Sequence, residues 1–374
     1  MLLNVKNQTD LSGFYVIYEG STNIEYPGVY GISHLMEHLV CKSFDHLLED
    51  FDKDGISWNA YTETNLINFH FTGLESRLSK YREEILKSLS TFTVTEEQFE
   101  NERNIVLSEY GDYFNMQTYA HVLNLHRKLF NVYDPIGLRS DIETLTYQDC
   151  LDCFERQYKY PSKIINVSKT YEMNEDDYTF MYPDIKRNVE IGDHDVPFEL
   201  GNTFKDKTSL ILTNVVQESP AVVNYINQML SMGLKSPFYQ EIREKRGLVY
   251  YVAVYQSRIH ETGVNTISTL TANENVEELI DTVKELLSNP DKYFTRERYD
   301  LVREWLTAKK EKEEILRHSN IGKFITPEGW SIYDALDVSF EEMREIYDKN
   351  YKFESFHISN DKTEFLQPVE EAVV

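Results

Sequence analysis

Hydrophobic positions in the first half of the chain follow two different periods, which predict a mixture of strands and helices. Gly13–Tyr18, Asn59–Asn65 and Leu66–Thr72 are predicted as strands, the last because polar and apolar residues alternate along part of it. Between residues 74 and 92 the apolar positions recur at steps of three and four, which predicts one long amphipathic helix. Lys163–Ser168 is predicted as the strand that ends this half.

The second half roughly repeats this order of elements, beginning with a predicted strand at Ser209–Thr213. An acidic and irregular stretch at residues 172–207 separates the halves, so we place a domain junction there. We therefore predict a duplicated domain, with one copy at residues 1–185 and the other at residues 186–374. Neither half alternates strictly between strand and helix. The predicted fold class is α+β, with two similar domains, each a largely antiparallel sheet covered by helices.

The segment 34–38, His-Leu-Met-Glu-His, carries the strongest chemical signal in the chain. On a helix, His34 and His38 lie one turn apart on the same face, so both imidazoles can bind one metal ion. Glu37 borders that face and would lie beside the metal. This H-x-x-E-H order reverses the H-E-x-x-H metalloprotease motif, and both need a carboxylate that takes a proton from a zinc-bound water. Because the motif fixes only three positions, a chance match on an amphipathic helix is the alternative.

A catalytic zinc usually has three protein ligands, and residues 95–115 offer a third. Thr95 and Gln98 have the spacing of a capping box, which predicts a helix start. The inward stripe of that helix contains Phe99, Glu102, Val106, Glu109 and Tyr113. Two carboxylates on an otherwise apolar stripe are costly to bury unless they bind a cation or another partner. The alternative is a rotated helix with both glutamates in solvent.

Taken together, these segments resemble the pitrilysin-type (M16) zinc metallopeptidases, a family that includes the mitochondrial processing peptidases and insulin-degrading enzyme. The resemblance implies that His34, His38 and Glu109 bind one Zn²⁺ per chain. It also implies that Glu37 is the general base and that Glu102 supports the ligands from seven residues before Glu109. Residues 41–45 stand where the family commonly has a Gly-Thr segment, which we interpret as a trimmed loop.

Residues 54–62 resemble the family's stretch that leads into the substrate-binding edge strand. The substrate-binding residues implied by this match are Asn59, Ala60, Tyr61 and Thr62. Residues 230–253 resemble the family's C-terminal signature, in which Arg243 and Tyr250 would reach the active site of the facing half and contact substrate. The second half has no H-x-x-E-H, so the family comparison implies one metal site, in the N-terminal catalytic domain.

The resemblance implies a zinc-dependent endopeptidase that hydrolyses short or unfolded peptides inside a chamber formed by subunit association. The association would be a homodimer or a heterodimer with an M16 paralogue. A catalytically inactive peptide-binding or assembly subunit of such a heterodimer is the alternative from another class. A metal-dependent hydrolase of other substrates is a third hypothesis. Manganese or cobalt could replace zinc in vitro.

Net charge and cysteine content narrow the partners and the compartment. A net charge of −25 and a pI of about 4.8 argue against nucleic acid and anionic membranes and fit basic peptides. Acidic charge that only maintains solubility is the alternative. Three cysteines are too few for a disulfide framework and indicate a reducing compartment. With no signal-peptide core and no apolar run near the ~20 residues of a membrane span, we expect a cytoplasmic protein.

Overall fold

This computed structural model describes residues 1–185, 189, 191–196, 206–259, 262–316, 330–351 and 356–359. The strands are β1 (Leu2–Lys6), β2 (Leu11–Glu19), β3 (Ser57–Thr62), β4 (Leu66–Leu74), β5 (Lys163–Ser168), β6 (Lys207–Val216), β7 (Val249–Ile259), β8 (Thr262–Ala272) and β9 (Phe356–Ser359). The first eight helices are α1 (Ile32–Lys42), α2 (Leu48–Asp54), α3 (Glu75–Leu78), α4 (Arg82–Leu89), α5 (Glu96–Asn115), α6 (Gln117–Phe130), α7 (Arg139–Thr144) and α8 (Tyr147–Cys153). The others are α9 (Pro220–Ser231), α10 (Val276–Ser288), α11 (Pro290–Tyr293), α12 (Arg296–Leu316) and α13 (Phe340–Asn350).

The described chain divides into two compact units, and the first includes residues 1–111 and 133–185. Its five-stranded sheet has the order β1-β5-β2-β4-β3. The β1–β5 pair is parallel and all other pairs are antiparallel. Strand β2 is buried along nearly its whole length, whereas β3 lies at the sheet edge and is half-exposed. The edge position leaves one side of β3 without a strand partner in this sheet.

Aromatic side chains fill the space between the sheet and the segment that follows α1. Phe44 and Phe51 both make edge-on contacts with Phe71 of β4, at ring-centroid distances of 5.6 and 5.8 Å. Trp58 of β3 contacts Phe44 from the edge strand. Edge-to-face pairs of this kind add to the stabilisation that burial provides. The packing fixes the C-terminal end of α1 relative to β3.

The second unit includes residues 112–132 and most described residues beyond 206. Its sheet has the order β7-β8-β6-β9 and is antiparallel throughout. Helix α6 belongs to this unit because Val122 and Leu125 pack against Ile211 of β6. The larger core of the unit includes buried residues of α9, α10, α12 and α13.

The α+β fold class predicted from the sequence is confirmed, and both sheets are largely antiparallel. The expectation of one long helix between residues 74 and 92 is wrong, because α3 and α4 are separated by a 3₁₀ turn at Ser79–Tyr81. Strand β1 was not predicted. Part of the predicted junction at 172–207 lies outside the described residues, and the 185/186 boundary stays a prediction. None of the described helices combines the length and apolar character needed to cross a bilayer.

Candidate metal centre

Helix α1 presents His34 and His38 on its less buried face. Its opposite face is fully buried, through Leu35, Met36, Leu39 and Val40. The helix starts after Gly31, which has a φ of +99°, and the backbone N–H groups of Gly31 and Ser33 donate to the Glu25 carboxylate at 3.0 and 2.8 Å. A carboxylate at this position satisfies free N–H groups and complements the helix dipole. The start of the helix is therefore held in place only a few residues before the first histidine.

Helix α5 supplies the facing carboxylates. The predicted capping box is present, since Gln98 N donates to Thr95 Oγ1 at 3.2 Å and Thr95 N donates to Gln98 Oε1 at 2.9 Å. Phe99 and Val106 are buried, as the inward stripe required. Glu102 shares that stripe and is 7% exposed, so its carboxylate is removed from bulk solvent.

His34, His38 and Glu109 converge on one point. Their ligand atoms all lie within 4.8 Å of one another, and Glu109 Oε2 is 3.6 Å from the Nε2 atom of each histidine. Ligand atoms around a tetrahedral zinc lie about 3.4 Å apart, since Zn–N and Zn–O bonds are about 2.0–2.1 Å long. Burial and then the neighbouring His38 lower the pKa of His34 to about 3, so its imidazole is neutral at neutral pH. Two imidazoles and a carboxylate are a donor set that fits zinc.

Glu37 lies next to this group. Its Oε2 accepts a hydrogen bond of 2.6 Å from the hydroxyl of Thr62, the last residue of β3. Burial raises the pKa of the Glu37 carboxyl, and the Thr62 hydrogen bond opposes that rise. A carboxyl with a raised pKa is suited to exchange protons near neutral pH.

Glu102 contacts two side chains of α1. Its Oε2 lies 3.2 Å from His38 Nδ1 and its Oε1 lies 3.1 Å from Lys42 Nζ. Because a carboxylate only accepts, a hydrogen bond between these atoms uses the Nδ1–H of His38, and Nε2 is the ring nitrogen that faces Glu109. The hydrogen bond to Glu102 raises the pKa of the Lys42 amine, which keeps it charged.

The four residues implied as substrate-binding lie together on β3. Asn59, Ala60 and Tyr61 pair with His70, Phe69 and Asn68 of β4. Asn59 is exposed and the other two are half-buried. The opposite backbone edge of β3 has no strand partner in the five-stranded sheet. Such an edge can pair with an added extended peptide.

Arg243 and Tyr250 also come together, within the second unit. The guanidinium of Arg243 lies 4.8 Å from the Tyr250 ring centroid and 4.7 Å from that of Tyr239. Arg243 belongs to a π-helical segment, Tyr239–Lys245, and Tyr250 is 78% exposed at the start of β7. Segments of π-helix are often found at functional sites. Cation–π contacts hold the guanidinium beside an exposed tyrosine.

Sequence reasoning missed the contacts of Lys42, Thr62 and Tyr239. Lys42 is four residues after His38 and Tyr239 is four before Arg243, so helical spacing alone carried a signal for both. The hydrogen bond from Thr62 to Glu37 depends on how α1 packs on β3, which the sequence pattern does not encode.

Two family models match the chain. The model described as "Insulinase (Peptidase family M16)" matches residues 6–134. The model described as "Peptidase M16 inactive domain" matches residues 213–305, which agrees with the absence of H-x-x-E-H from the second half. The chain belongs to peptidase family M16. The resemblance inferred from the motifs is thereby confirmed.

The relatives and the solved structure that the chain resembles match it over most of its length. An uncharacterized zinc protease of Rickettsia bellii (strain RML369-C) is 24% identical over 84% of this chain and 83% of its own length. An uncharacterized zinc protease of Bacillus subtilis (strain 168) is 22% identical over 71% of this chain and 69% of its own length. The crystal structure of a protease from Helicobacter pylori superposes with a TM-score of 0.79 at 16% identity, covering 98% of this chain and 97% of that one. At this identity the structural match supports the M16 fold.

Proposed function

We propose that the protein is a zinc-dependent endopeptidase of the M16 family that hydrolyses short or unfolded peptides. The observation that carries the proposal is the convergence of His34, His38 and Glu109 beside the buried carboxyl of Glu37. The names of the zinc protease relatives support zinc as the metal. Bound zinc would lower the pKa of a water ligand and polarise the scissile carbonyl.

In the proposed mechanism Glu37 takes the proton of the attacking water and then delivers it to the leaving amine. Thr62 holds the Glu37 carboxylate through its hydroxyl, and this contact joins the base to the last residue of β3. Glu102 fixes the His38 ring by accepting from Nδ1. The peptide lies along the free edge of β3, where backbone hydrogen bonds hold it with little dependence on its side chains.

We further propose that Arg243 and Tyr250 contact substrate, as the family resemblance implies. Their pairing and the exposure of the tyrosine support a surface role. We propose that two chains associate around a chamber, either as a homodimer or with an M16 paralogue. A chamber would favour short or unfolded peptides because folded proteins would not enter it.

The decisive test compares wild type with Glu37→Gln in a quenched-fluorescent peptide library, with metal content measured on the same samples. We expect about one zinc per chain in both proteins, because neither the ligands nor their geometry change. Cleavage by Glu37→Gln should fall by about 10²–10⁴-fold, because the general base is lost. The matched control is Glu49→Gln on α2, whose glutamate side chain is largely exposed and which should retain wild-type activity.

Each deviation from this result has a defined meaning. Failure of the wild type to bind zinc at neutral pH would contradict the ligand assignment. Binding of zinc and peptide without cleavage would indicate an inactive peptide-binding subunit. Cleavage by Glu37→Gln at the wild-type rate would remove Glu37 from the mechanism.

A further inference from the structure

Lys42 completes a row of contacts between α1 and α5. His34, His38 and Lys42 occupy successive turns of α1, since they are four residues apart. Glu109 faces the first two, and Glu102 faces the last two. Each helix residue in the row therefore contacts a carboxylate of the opposite helix.

The contact between Lys42 and Glu102 uses the oxygen that His38 leaves free. Lys42 Nζ is 3.1 Å from Oε1, whereas His38 Nδ1 is 3.2 Å from Oε2. With one donor on each oxygen, the carboxylate cannot rotate about its terminal bond without losing a hydrogen bond. Charge-assisted contacts of this kind are the stronger class of hydrogen bonds. The amine thus sets the orientation of the carboxylate that orients the imidazole.

Lys42 also alters the charge of the centre. Glu37, Glu102 and Glu109 bring three carboxyl groups to the same region, and imidazoles that bind a metal add no positive charge of their own. The Lys42 side chain is 34% exposed while that of Glu102 is 9% exposed, so the ammonium shields a largely buried charge from one side. Its place in the last turn of α1 also suits a cation, because that end of a helix carries partial negative charge.

We propose that Lys42 is a positioning residue of the metal centre. This inference rests on the zinc site of the proposed function. Lys42 holds Glu102 in the orientation in which Oε2 contacts His38 Nδ1, and this contact keeps the ring turned so that Nε2 faces Glu109. Loss of the amine lets the Glu102 carboxylate turn away, so His38 loses its fixed ring orientation. The measurable consequence is weaker zinc binding, before any effect on peptide cleavage.

The test is a double-variant cycle of Lys42→Met, Glu102→Gln and both together. Zinc affinity is measured at neutral pH by competition with a chromogenic chelator, using Zn²⁺ alone as the probe. Lys42→Met should weaken zinc binding about tenfold, the range seen when a group supporting a metal ligand is removed. In the Glu102→Gln background the same change should add no more than about twofold, because Lys42 acts through Glu102.

Two further variants separate positioning from general destabilisation. Lys42→Arg keeps the charge and the donor and should retain zinc affinity within about threefold. Lys53→Met is the matched control, because Lys53 pairs with Glu49 on the exposed face of α2. It should change zinc affinity by less than about twofold, since exposed ion pairs contribute little. Circular dichroism of the zinc-free proteins monitors folding.

Wild-type zinc affinity in Lys42→Met would overturn the inference. Equal losses from Lys42→Met with and without Glu102 would also overturn it, because the lysine would then act independently of Glu102. A wild type that binds zinc but cleaves no peptide would contradict the proposed function, and the affinity cycle would still decide the role of Lys42. A wild type that binds no zinc would overturn both.

Discussion

Two glutamates of the candidate centre have the same side chain but different neighbours. Glu37 accepts a hydrogen bond from the neutral hydroxyl of Thr62, and burial raises the pKa of its carboxyl. Glu102 forms an ion pair with Lys42 and a hydrogen bond with Nδ1 of His38. In the proposed function, these environments suit Glu37 to exchanging protons and Glu102 to orienting the His38 ring. The neighbours, rather than the residue type, distinguish the two roles that we propose.

Thr62 gives a prediction at the scale of one hydrogen bond. Thr62→Val removes the donor to Glu37 while keeping the side-chain shape, so the base loses its fixed orientation. We expect kcat to fall about tenfold, as when one catalytic hydrogen bond is lost, with a smaller change in KM. Initial-rate kinetics on one fluorogenic peptide measure both constants.

Thr62→Ser is the control for this substitution, because it keeps the hydroxyl. It should retain most of the wild-type kcat. Equal kcat values for the valine and serine variants would show that the hydroxyl has no part in catalysis.

At the scale of elements, helix α1, which carries His34 and His38, depends on a close approach of two glycines. Gly31 precedes α1 and Gly137 lies in the loop before α7, both with positive φ. A Cβ atom on Gly137 would lie 2.4 Å from Gly31 Cα and from the carbonyl oxygen of Tyr30. Leu138 N donates to the same Tyr30 oxygen at 3.3 Å. The loop therefore packs directly on the backbone that leads into α1.

Gly137→Ala should destabilise the protein by roughly 3 kcal/mol. An alanine at this positive φ is strained, and its Cβ would also clash with backbone atoms of Tyr30 and Gly31. Gly55→Ala is the matched control, since Gly55 has a φ of +65° and a Cβ added there would meet nothing within 4 Å. It should cost only about 1 kcal/mol. Urea denaturation measures both. Equal losses would mean that the loop moves aside without cost.

The elements that sequence reasoning predicted well are those with local signals. The capping pair Thr95–Gln98 and the strand Lys163–Ser168 were predicted from a few adjacent residues and are present. The prediction of one continuous helix at 74–92 was wrong because the spacing of apolar residues is the same before and after the 3₁₀ turn. After that turn, Arg82 is fully buried and donates to Ser12 Oγ at 2.7 Å. A hydrophobic pattern counts arginine as polar, so it does not predict that an arginine is buried.

At the scale of the whole molecule, chain order and spatial grouping differ. Residues 112–132 belong to the second compact unit although they precede 133–185 in the sequence. The reason is the packing of α6 on β6, which joins Val122 to Ile211 across 89 positions. The apolar face of α6 does not specify, in the sequence, which sheet it covers. The convergence of His34, His38 and Glu109 was predictable because a family resemblance supplied the missing long-range information.

The net charge of −25 gives a prediction for the whole protein. If acidic charge attracts basic substrates, kcat/KM for a Lys- and Arg-rich peptide should fall about fivefold or more between roughly 0.05 and 0.5 M salt. A neutral peptide of the same length should change little over that range. Identical salt dependence for both peptides would show that the charge serves solubility alone.

The sheet order of the first unit has a consequence for protein synthesis. Strand β5 lies between β1 and β2, although about 150 residues separate it in sequence from either. During translation β2 and β4 can pair early, but β1 has no partner in this sheet until residues 163–168 have left the ribosome exit tunnel. Contacts of such long sequence separation form slowly. A nascent chain would thus carry His34, His38 and Glu109 well before β5 is available to complete the sheet of the first unit.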